Sequence, residues 1–401
     1  MSAIASHNVS GVDEPLLSNE SIERQALGWS RSVMIIATAV GLMGIGAVMT
    51  FSASARVDST DVNLLAINSL WTSKIFRQML FVVGGLLAMI IGGRIPYRFW
   101  TAGNGMAAFI GLLAAVFVSG LVFVPGIGAE INQARRWIRL GGGLTFQPSE
   151  LVKIMLPIFL AAWMTRGVRR ASNGELVAVG PRQTDIRRFF SGLVPALLVI
   201  GLSVGVVGIE DFGTAALLVG VCGAMLLVGG ARITHLLLLI VPVVPAFGYL
   251  LMSRSHRMER IMTYRDIWLD PEGKGYQVVQ SLCTIASGGF YGRGLGRGFV
   301  KFYLPEARTD FIFSVICEEL GAIGAVAVIA LLFAFLWQCR VIVRDCADPM
   351  GRVLAFGIAM TFGIQAVMNI AVVTVSVPTK GISLPLVSAG GSGVIFLGVL
   401  V

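Results

Sequence analysis

Long apolar stretches alternate with short polar connections along nearly the whole chain. Ten stretches approach or reach the length of about 20 apolar residues that a helix needs to cross the hydrocarbon core of a bilayer. They cover residues 33–54, 76–93, 100–124, 148–165, 191–208, 214–230, 233–252, 311–337, 353–375 and 389–401. The first 30 residues are polar and lack the apolar segment of a cleavable signal peptide, so we expect the first span to act as the insertion signal.

The connections between these stretches fall into two alternating sets. One set is short and rich in arginine, at 94–99, 166–190 and 338–352. The other is richer in glycine, proline and specific charges, at 125–147, 209–213, 253–310 and 376–390. The second set carries as many Lys and Arg residues as the first, so the positive-inside rule does not settle the orientation. Basic residues placed against that rule need another reason, and binding an anion is one.

The pattern therefore predicts an all-α integral membrane protein, a bundle of about ten transmembrane helices. Residues 1–30 form a polar tail and residues 31–401 form the membrane domain. A large loop at about 253–310 separates spans seven and eight.

Composition supports a membrane environment. Of the 401 residues, 56% are hydrophobic and only 13% are charged, whereas a soluble domain carries about 25% charged residues. The net charge of +9 favours contact with a membrane surface or an anionic lipid-linked substrate. Nucleic acid is a poor candidate, because the chain has no long basic tract with interleaved aromatic residues. Five scattered cysteines and three scattered histidines exclude a disulfide framework, a zinc site and a histidine-based triad.

Charged residues at the ends of the apolar stretches are the first candidates for chemistry, because ionisable groups are costly inside a membrane. Glu150 and Lys153 lie three residues apart and therefore share one helix face. They form either a structural ion pair or part of a polar cavity. Glu210 and Asp211 lie between two spans, as a solvated turn or as site residues. Asp310 stands at the mouth of the eighth span, as an N-cap or as a general base whose pKa is raised by partial desolvation.

The glycine-rich stretch 288–298 carries Arg293 and Arg297. Bare backbone amides and guanidinium groups both suit a phosphate, so the stretch is either an anion-binding loop or a flexible loop at the membrane surface. No strand precedes it, which excludes a dinucleotide-binding unit. Glu318 and Glu319 lie inside the eighth span, where at least one of them must face protein or water rather than lipid.

Five groups of motifs resemble, in order and spacing, those of the SEDS proteins (shape, elongation, division and sporulation) over roughly residues 30–401. They read RWIRLG and FQPSELVK within 136–153, DFGT at 211–214, LPEARTDFIF at 304–313, EELG at 318–321, and PTKGISLP and SAGGS within 378–392.

The resemblance implies ten spans in the bacterial cytoplasmic membrane, with both termini in the cytoplasm and the motif loops outside. It implies a peptidoglycan glycosyltransferase that polymerises lipid II into a growing glycan strand. Its partners would be a class B penicillin-binding protein, which crosslinks the product, and other division proteins. The family's essential aspartate corresponds to Asp310, its fourth-span tryptophan to Trp137, and its cavity residues to Glu150, Lys153 and Asp211.

We expect Asp310 to remove the proton from the acceptor hydroxyl that attacks the anomeric carbon of a lipid-pyrophosphate donor. Cationic groups would stabilise the leaving pyrophosphate. The residues predicted to bind substrate are Arg136, Trp137, Glu150, Lys153, Asp211, Arg293, Arg297, Arg308 and Lys380. A divalent cation, Mg or Mn, is a further candidate, although no all-protein ligand cage is visible in the sequence.

Three positions depart from the family pattern. Arg308 replaces the usual histidine before Thr-Asp, Ala389 replaces a tyrosine, and Glu210 replaces a proline. Arg308 would either lower the pKa of Asp310 or hold a substrate phosphate with its guanidinium. The Glu-Ala pair at 306–307 favours the division-type members of the family, which act at the septum.

Two alternatives to a division-type polymerase stay open. The first is a flippase that moves lipid II across the bilayer, and the second is the elongation-type enzyme. A flippase would use the same fold and basic loops, but a proton-dependent transporter should keep its acids deep in the spans. The position of Asp310 at a helix mouth favours surface chemistry, and a purely structural scaffold would leave the many ionisable residues unexplained.

Overall fold

The computed structural model describes most of the chain. The described residues are 19–54, 74–131, 134–141, 144–166, 168–170, 176–178, 186, 188–252, 255–389 and 391–401. Residues 1–18 of the predicted polar tail and Gly390 of the last motif lie outside them.

A helix lies in each of the ten predicted stretches, and two more helices lie in the long loop. In chain order they are α1 Asn19–Ser54, α2 Lys74–Arg94, α3 Ala102–Gly120, α4 Ser149–Met164, α5 Val194–Glu210, α6 Phe212–Val228, α7 Ile233–Met252, α8 Ser255–Arg265, α9 Tyr276–Gly288, α10 Ile312–Asp345, α11 Pro349–Val373 and α12 Ser392–Leu400.

Within the described residues, five helices are long and apolar enough to cross a membrane. They are Arg31–Ser54, Tyr97–Phe123, Phe189–Glu210, Ile312–Asp345 and Pro349–Val373. Two shorter apolar helices are Gln78–Arg94 and Phe212–Val228. A helix satisfies its own backbone hydrogen bonds, which is what the bilayer interior demands. The chain is therefore a multi-pass membrane protein.

Helix starts follow from local chemistry. The Asp211 carboxylate accepts a hydrogen bond from the Thr214 amide at the start of α6. Asp348 caps α11 in the same way, and Pro349 occupies its first turn, where no amide is needed. Pro148 likewise precedes α4.

The helices pack into two groups with separate apolar cores. The first core is built from α1, α10, α12 and the segment before α10, and the second from α3, α4, α5 and α6. Helix α11 packs on α10 in the first group and on α4 and α6 in the second, and so joins the two. Residues of both cores line the cavity described below.

A small sheet, not expected from the sequence, lies between α3 and α4. Strands β1 Gly128–Ile131, β2 Ala134–Gly141 and β3 Leu144–Phe146 pair antiparallel in the order β1-β2-β3. A separate hairpin joins β4 Val168–Arg170 to β5 Leu176–Ala178. The central strand β2 carries Arg136 and Trp137 toward the cavity.

Candidate functional site

A cavity of about 1430 Å³ lies where α1 ends and α4 and α10 begin. Its walls come from segments that are far apart in sequence, including β2, α4, α11 and the loops before α10 and before α12. Most of the residues predicted to form the site line it together, namely Arg136, Trp137, Glu150, Lys153, Arg308, Asp310 and Lys380.

Asp310 lies in a turn whose backbone is held from two sides. The Glu306 carbonyl accepts hydrogen bonds from the amides of Thr309 (3.1 Å) and Phe311 (3.2 Å). Asn369 Nδ2 donates to the Asp310 carbonyl oxygen at 2.7 Å. Within the described residues, the Asp310 carboxylate itself accepts no hydrogen bond. Both of its oxygens are therefore open to a substrate.

The N-cap role considered for Asp310 is not what the structure shows. Phe311 occupies the capping position of α10, and no side chain caps that helix. The general-base role of Asp310 stays a prediction, and its place in the cavity wall is compatible with it.

The surroundings of Asp310 suit a group that must gain and lose a proton near neutral pH. Burial raises the pKa of Asp310 to about 7, and the negative charge of Glu306 adds to the rise. Arg136 opposes it more strongly than Arg260 does, while Asp211 adds a smaller increase. A carboxyl group with a pKa near the working pH is an efficient general base.

Three cationic side chains face the same space. Arg136 and Asp310 converge on Gly381, where an added Cβ would lie 3.6 Å from Arg136 Nη1 and 3.0 Å from Asp310 Oδ2. Lys380 Nζ lies 4.4 Å above the Phe212 ring, and burial lowers the pKa of Lys380. Arg260 also lines this wall.

Arg260 is absent from the set predicted from the sequence. Its Nη1 donates to the Thr379 carbonyl at 3.5 Å, which links α8 to the loop before α12. Although Arg260 keeps some exposed surface, burial and the charge of Arg136 lower its pKa. Two cations held close together on one wall of the cavity indicate a site shaped for an anion.

The inner wall of the cavity is a buried polar network. Lys153 Nζ lies 2.7 Å from Glu150 Oε2 and donates to Gln365 Oε1 at 3.0 Å. Gln365 Nε2 donates in turn to the Ser383 carbonyl at 2.9 Å. Lys153 and Glu150 are only 3% and 6% exposed. Both interpretations of this pair apply, because the ion pair is buried and also lines the cavity.

Gln365 and Asn369 are site residues that the sequence analysis missed. They recur with Thr361 at intervals of four along α11, and all three are buried. Asn369 Nδ2 joins the carbonyls of Asp310 and Ile382, each at 2.7 Å. The detectable signal was three polar residues on one face of an apolar span.

Asp211 lies behind the cavity wall rather than in it. Its carboxylate accepts hydrogen bonds from the side chains of Gln147 (2.8 Å), Ser149 (3.3 Å) and Thr214 (2.8 Å). Arg136 Nη1 lies 3.8 Å from it. These contacts engage the carboxylate in capping α6 and in holding Arg136, while the binding of substrate by Asp211 stays a prediction.

Arg293 and Arg297 do not reach the cavity. Both are exposed, and Arg293 Nε donates to the Ser287 carbonyl at 3.1 Å. The glycine-rich stretch uses its backbone amides on α10 instead of on a phosphate, as in Arg293 N–H to the Glu318 carbonyl at 2.9 Å. The structure thus separates these two arginines from the cavity, and substrate binding by this loop stays a prediction.

Arg308 lines the cavity beside α1. Its Nη1 donates to Ser54 Oγ at 3.3 Å, and its carbonyl accepts from the Ala389 amide at 2.9 Å. The cationic groups with the largest effect on the pKa of Asp310 are Arg136 and Arg260. The position of Arg308 thus favours the second alternative, contact with a substrate phosphate.

No group of three or more His, Cys, Asp or Glu side chains converges among the described residues.

Comparison with known proteins gives consistent matches along the chain. The family model for FtsW, RodA and SpoVE, described as cell cycle protein, matches residues 32–401. A probable peptidoglycan glycosyltransferase FtsW of Geobacter sp. (strain M18) is 38% identical over 368 residues, covering 90% of this chain and 92% of the relative. Stage V sporulation protein E of Bacillus subtilis is 34% identical over 365 residues, covering 90% and 93%.

Solved structures agree with the fold. One, described as showing structural coordination of polymerization and crosslinking by a peptidoglycan synthase complex, has a TM-score of 0.68 and 27% identity, covering 93% of this chain and 94% of that chain. The rod shape determining protein RodA of Thermus thermophilus has a TM-score of 0.59 and 24% identity, covering 91% and 93%. At that identity the second likeness shows the fold alone.

Proposed function

The chain belongs to the FtsW, RodA and SpoVE family of cell cycle proteins, and we propose that it is a peptidoglycan glycosyltransferase that polymerises lipid II for the division septum. The observation that carries this proposal is Asp310, whose carboxylate accepts no hydrogen bond from the described residues and lies in a cavity lined by cations. The relative described above that carries the name FtsW supports the division-type assignment over the elongation type.

The proposed step joins two lipid-linked sugars. An acceptor hydroxyl forms a bond to the anomeric carbon of the donor, and Asp310 takes the hydroxyl proton. The bond from that carbon to the pyrophosphate breaks, and the pyrophosphate leaves with the electron pair. Arg136, Arg260 and Lys380 stabilise the charge that develops on it.

The family and the apolar helices support a membrane arrangement for the chain. We infer ten spans, both termini in the cytoplasm, and a cavity that faces the outer side of the bacterial cytoplasmic membrane. The structural neighbour from a complex that coordinates polymerization and crosslinking supports a crosslinking partner, and we propose a class B penicillin-binding protein. Enrichment at the septum belongs to the same proposal.

A lipid II flippase is the second candidate, favoured by the buried Glu150–Lys153 pair within α4. A transporter needs ionisable groups inside the spans. The position of Asp310 outside α10 favours polymerisation.

The test is purified protein with lipid II, scored for polymer on a gel. Asp310→Asn should stay folded and inserted but form no polymer, because an amide cannot accept the hydroxyl proton. Asp345→Asn, an equally small change at the other end of α10, is the matched control. Polymer from Asp310→Asn at the parent rate would remove the base role. A parent that moves lipid II across vesicles without polymer would favour the flippase.

A further inference from the structure

A second buried ionic cluster lies beside the cavity and joins three parts of the chain. The side chains of Lys301 and Glu319 are ion-paired with 0% exposure. Lys301 Nζ also donates to the Ser52 carbonyl at 2.7 Å, and Ser52 Oγ donates to Glu319 Oε1 at 2.7 Å. The cluster thus connects the end of α1, the loop before Asp310 and helix α10.

The neighbouring acid binds the same loop through its backbone. Glu318 Oε1 accepts the amides of Phe299 (2.7 Å) and Val300 (2.8 Å), and Oε2 accepts that of Lys301 (3.0 Å). Both acids of the EELG motif therefore face protein and hold the chain that leads to Asp310.

Helix α10 is interrupted at this level, and the glycine-rich loop fills the gap. Gly321 has φ 67° and ψ −167°. The amides of Arg293 and Gly294 donate to the two carbonyls that this break leaves free, each at 2.9 Å, and the Ala322 amide donates to the Gly289 carbonyl at 2.9 Å. Irregular backbone at membrane depth is tolerated where protein satisfies it in this way.

The cluster matters for Asp310 because no hydrogen bond from the part of the chain that the structure describes holds the Asp310 carboxylate. Its position depends on the backbone of residues 301–310, which is fixed at one end by Asn369 and at the other by Lys301. We propose that Lys301 is a positioning residue, which with Glu319 and Ser52 locks this segment onto α10 and sets where Asp310 stands in the cavity. This inference rests on the proposed function.

Stability alone is a weak reason for such a cluster. Replacing a buried ion pair by apolar residues of similar volume is often neutral or stabilising, whereas breaking one partner is costly. Lys301 is part of the cavity wall, but its side chain has no exposed surface and its amine is engaged by Ser52 and Glu319. Its remaining role is to direct the loop, and a misplacement of about 1 Å at a reacting group can cost about 100-fold in rate.

The experiment compares Lys301→Met, Glu319→Gln and the double variant with the parent in the polymer assay, a thermal melt and hydrogen exchange. The single variants should melt earlier. The double variant should recover the melting temperature, yet keep a kcat about 10-fold to 100-fold below the parent, with the half-saturating lipid II concentration unchanged. Amides of 299–310 should exchange faster, while those of α11 do not. The control is the double variant Arg344→Met with Asp345→Asn, which removes the Arg344–Asp345 pair and the Arg31–Asp345 pair between α1 and α10, at the other end of α10 from the cavity.

Other outcomes overturn the proposal. A double variant with the parent kcat makes the cluster merely structural, and a raised half-saturating concentration makes Lys301 a binding residue. If the double variant does not fold, Ser52→Ala removes one hydroxyl and keeps the ion pair. It should lower kcat severalfold and speed exchange in 299–310, and parent values for both would overturn the proposal. If the parent protein forms no polymer from lipid II, the proposed function is wrong. Hydrogen exchange in 299–310 would still test whether Lys301 positions the loop.

Discussion

Asp310 acquires its properties from charges and packing around it, since the described residues donate no hydrogen bond to its carboxylate. Burial and Glu306 favour the protonated form, and Arg136 and Arg260 favour the ionised form. The balance leaves a base that ionises near neutral pH and an open approach at Gly381, where no Cβ occupies the space.

The pH dependence of polymerisation should follow this balance. The pKa of Asp310 is about 7, and the base must be ionised, so the rate should rise with pH through that value. Glu306→Gln removes a negative charge that raises the pKa, so its midpoint should move to lower pH. The measurement is the acidic limb of the rate profile for both proteins.

Arg308→His is the matched comparison for that profile. It should move the midpoint less than Glu306→Gln does, because Arg308 contacts Ser54. A larger shift from Arg308→His would mean that Arg308, rather than Glu306, controls the proton on Asp310.

Gly381→Ala tests the convergence of Asp310 and Arg136. The added Cβ would lie 3.0 Å from Asp310 Oδ2, tighter than an ordinary contact, so the carboxylate must shift. We expect kcat to fall by about 10-fold or more with a small change in melting temperature. Gly363→Ala, where the nearest atoms are 3.5 Å away, is the control. A parent-like kcat for Gly381→Ala would show that the carboxylate has room to move.

At the scale of elements, α4 and α11 present facing polar rows through otherwise apolar helices. Lys153 on α4 binds Gln365 on α11, which extends the Glu150 pair across the helix interface. Burial makes each charge dependent on its partner, because an unpaired ion in a low-dielectric interior is expensive.

The Glu150 and Lys153 pair predicts a mutational cycle. Lys153→Met or Glu150→Gln alone should destabilise the protein by about 3–5 kcal/mol, since each strands a buried charge. The double variant should recover stability in a denaturation experiment but not polymer formation, because the cavity wall has lost its charges. If Lys153→Met alone is as stable and active as the parent, the pair is neither structural nor catalytic.

For the whole molecule, the inferred orientation in the membrane places each loop on one side of the bilayer. The cavity mouth carries the loop with Glu272, whereas Arg344 ends α10 on the side that we assign to the cytoplasm. Both side chains are exposed.

Topology can be read by labelling these two positions. In a cysteine-free background, Glu272→Cys should react with an impermeant maleimide added to intact spheroplasts, whereas Arg344→Cys should react only after permeabilisation. Both should react in detergent. Labelling of both from outside, or of Arg344→Cys alone, would contradict the inferred orientation.

Hydropathy and local motifs are sufficient to predict much of this protein. The ten helical stretches follow from apolar length, since a bilayer accepts only backbone that is satisfied internally. The Glu150–Lys153 pair follows from helical spacing, and the position of Asp310 at a helix mouth follows from where the apolar run begins. Each of these features depends on residues close together in the chain.

Only the tertiary structure determines which charged side chains lie close together in space. Arg136 and Asp310 converge on Gly381 because β2 lines the cavity, whereas the Arg293 and Gly294 amides bind the carbonyls at the break in α10. Asp211 looked like a site residue but is occupied by capping α6 and by neighbouring side chains. Hydrogen bonds and ion pairs depend on distance in space, and residues that are far apart in sequence carry no local pattern that reports it.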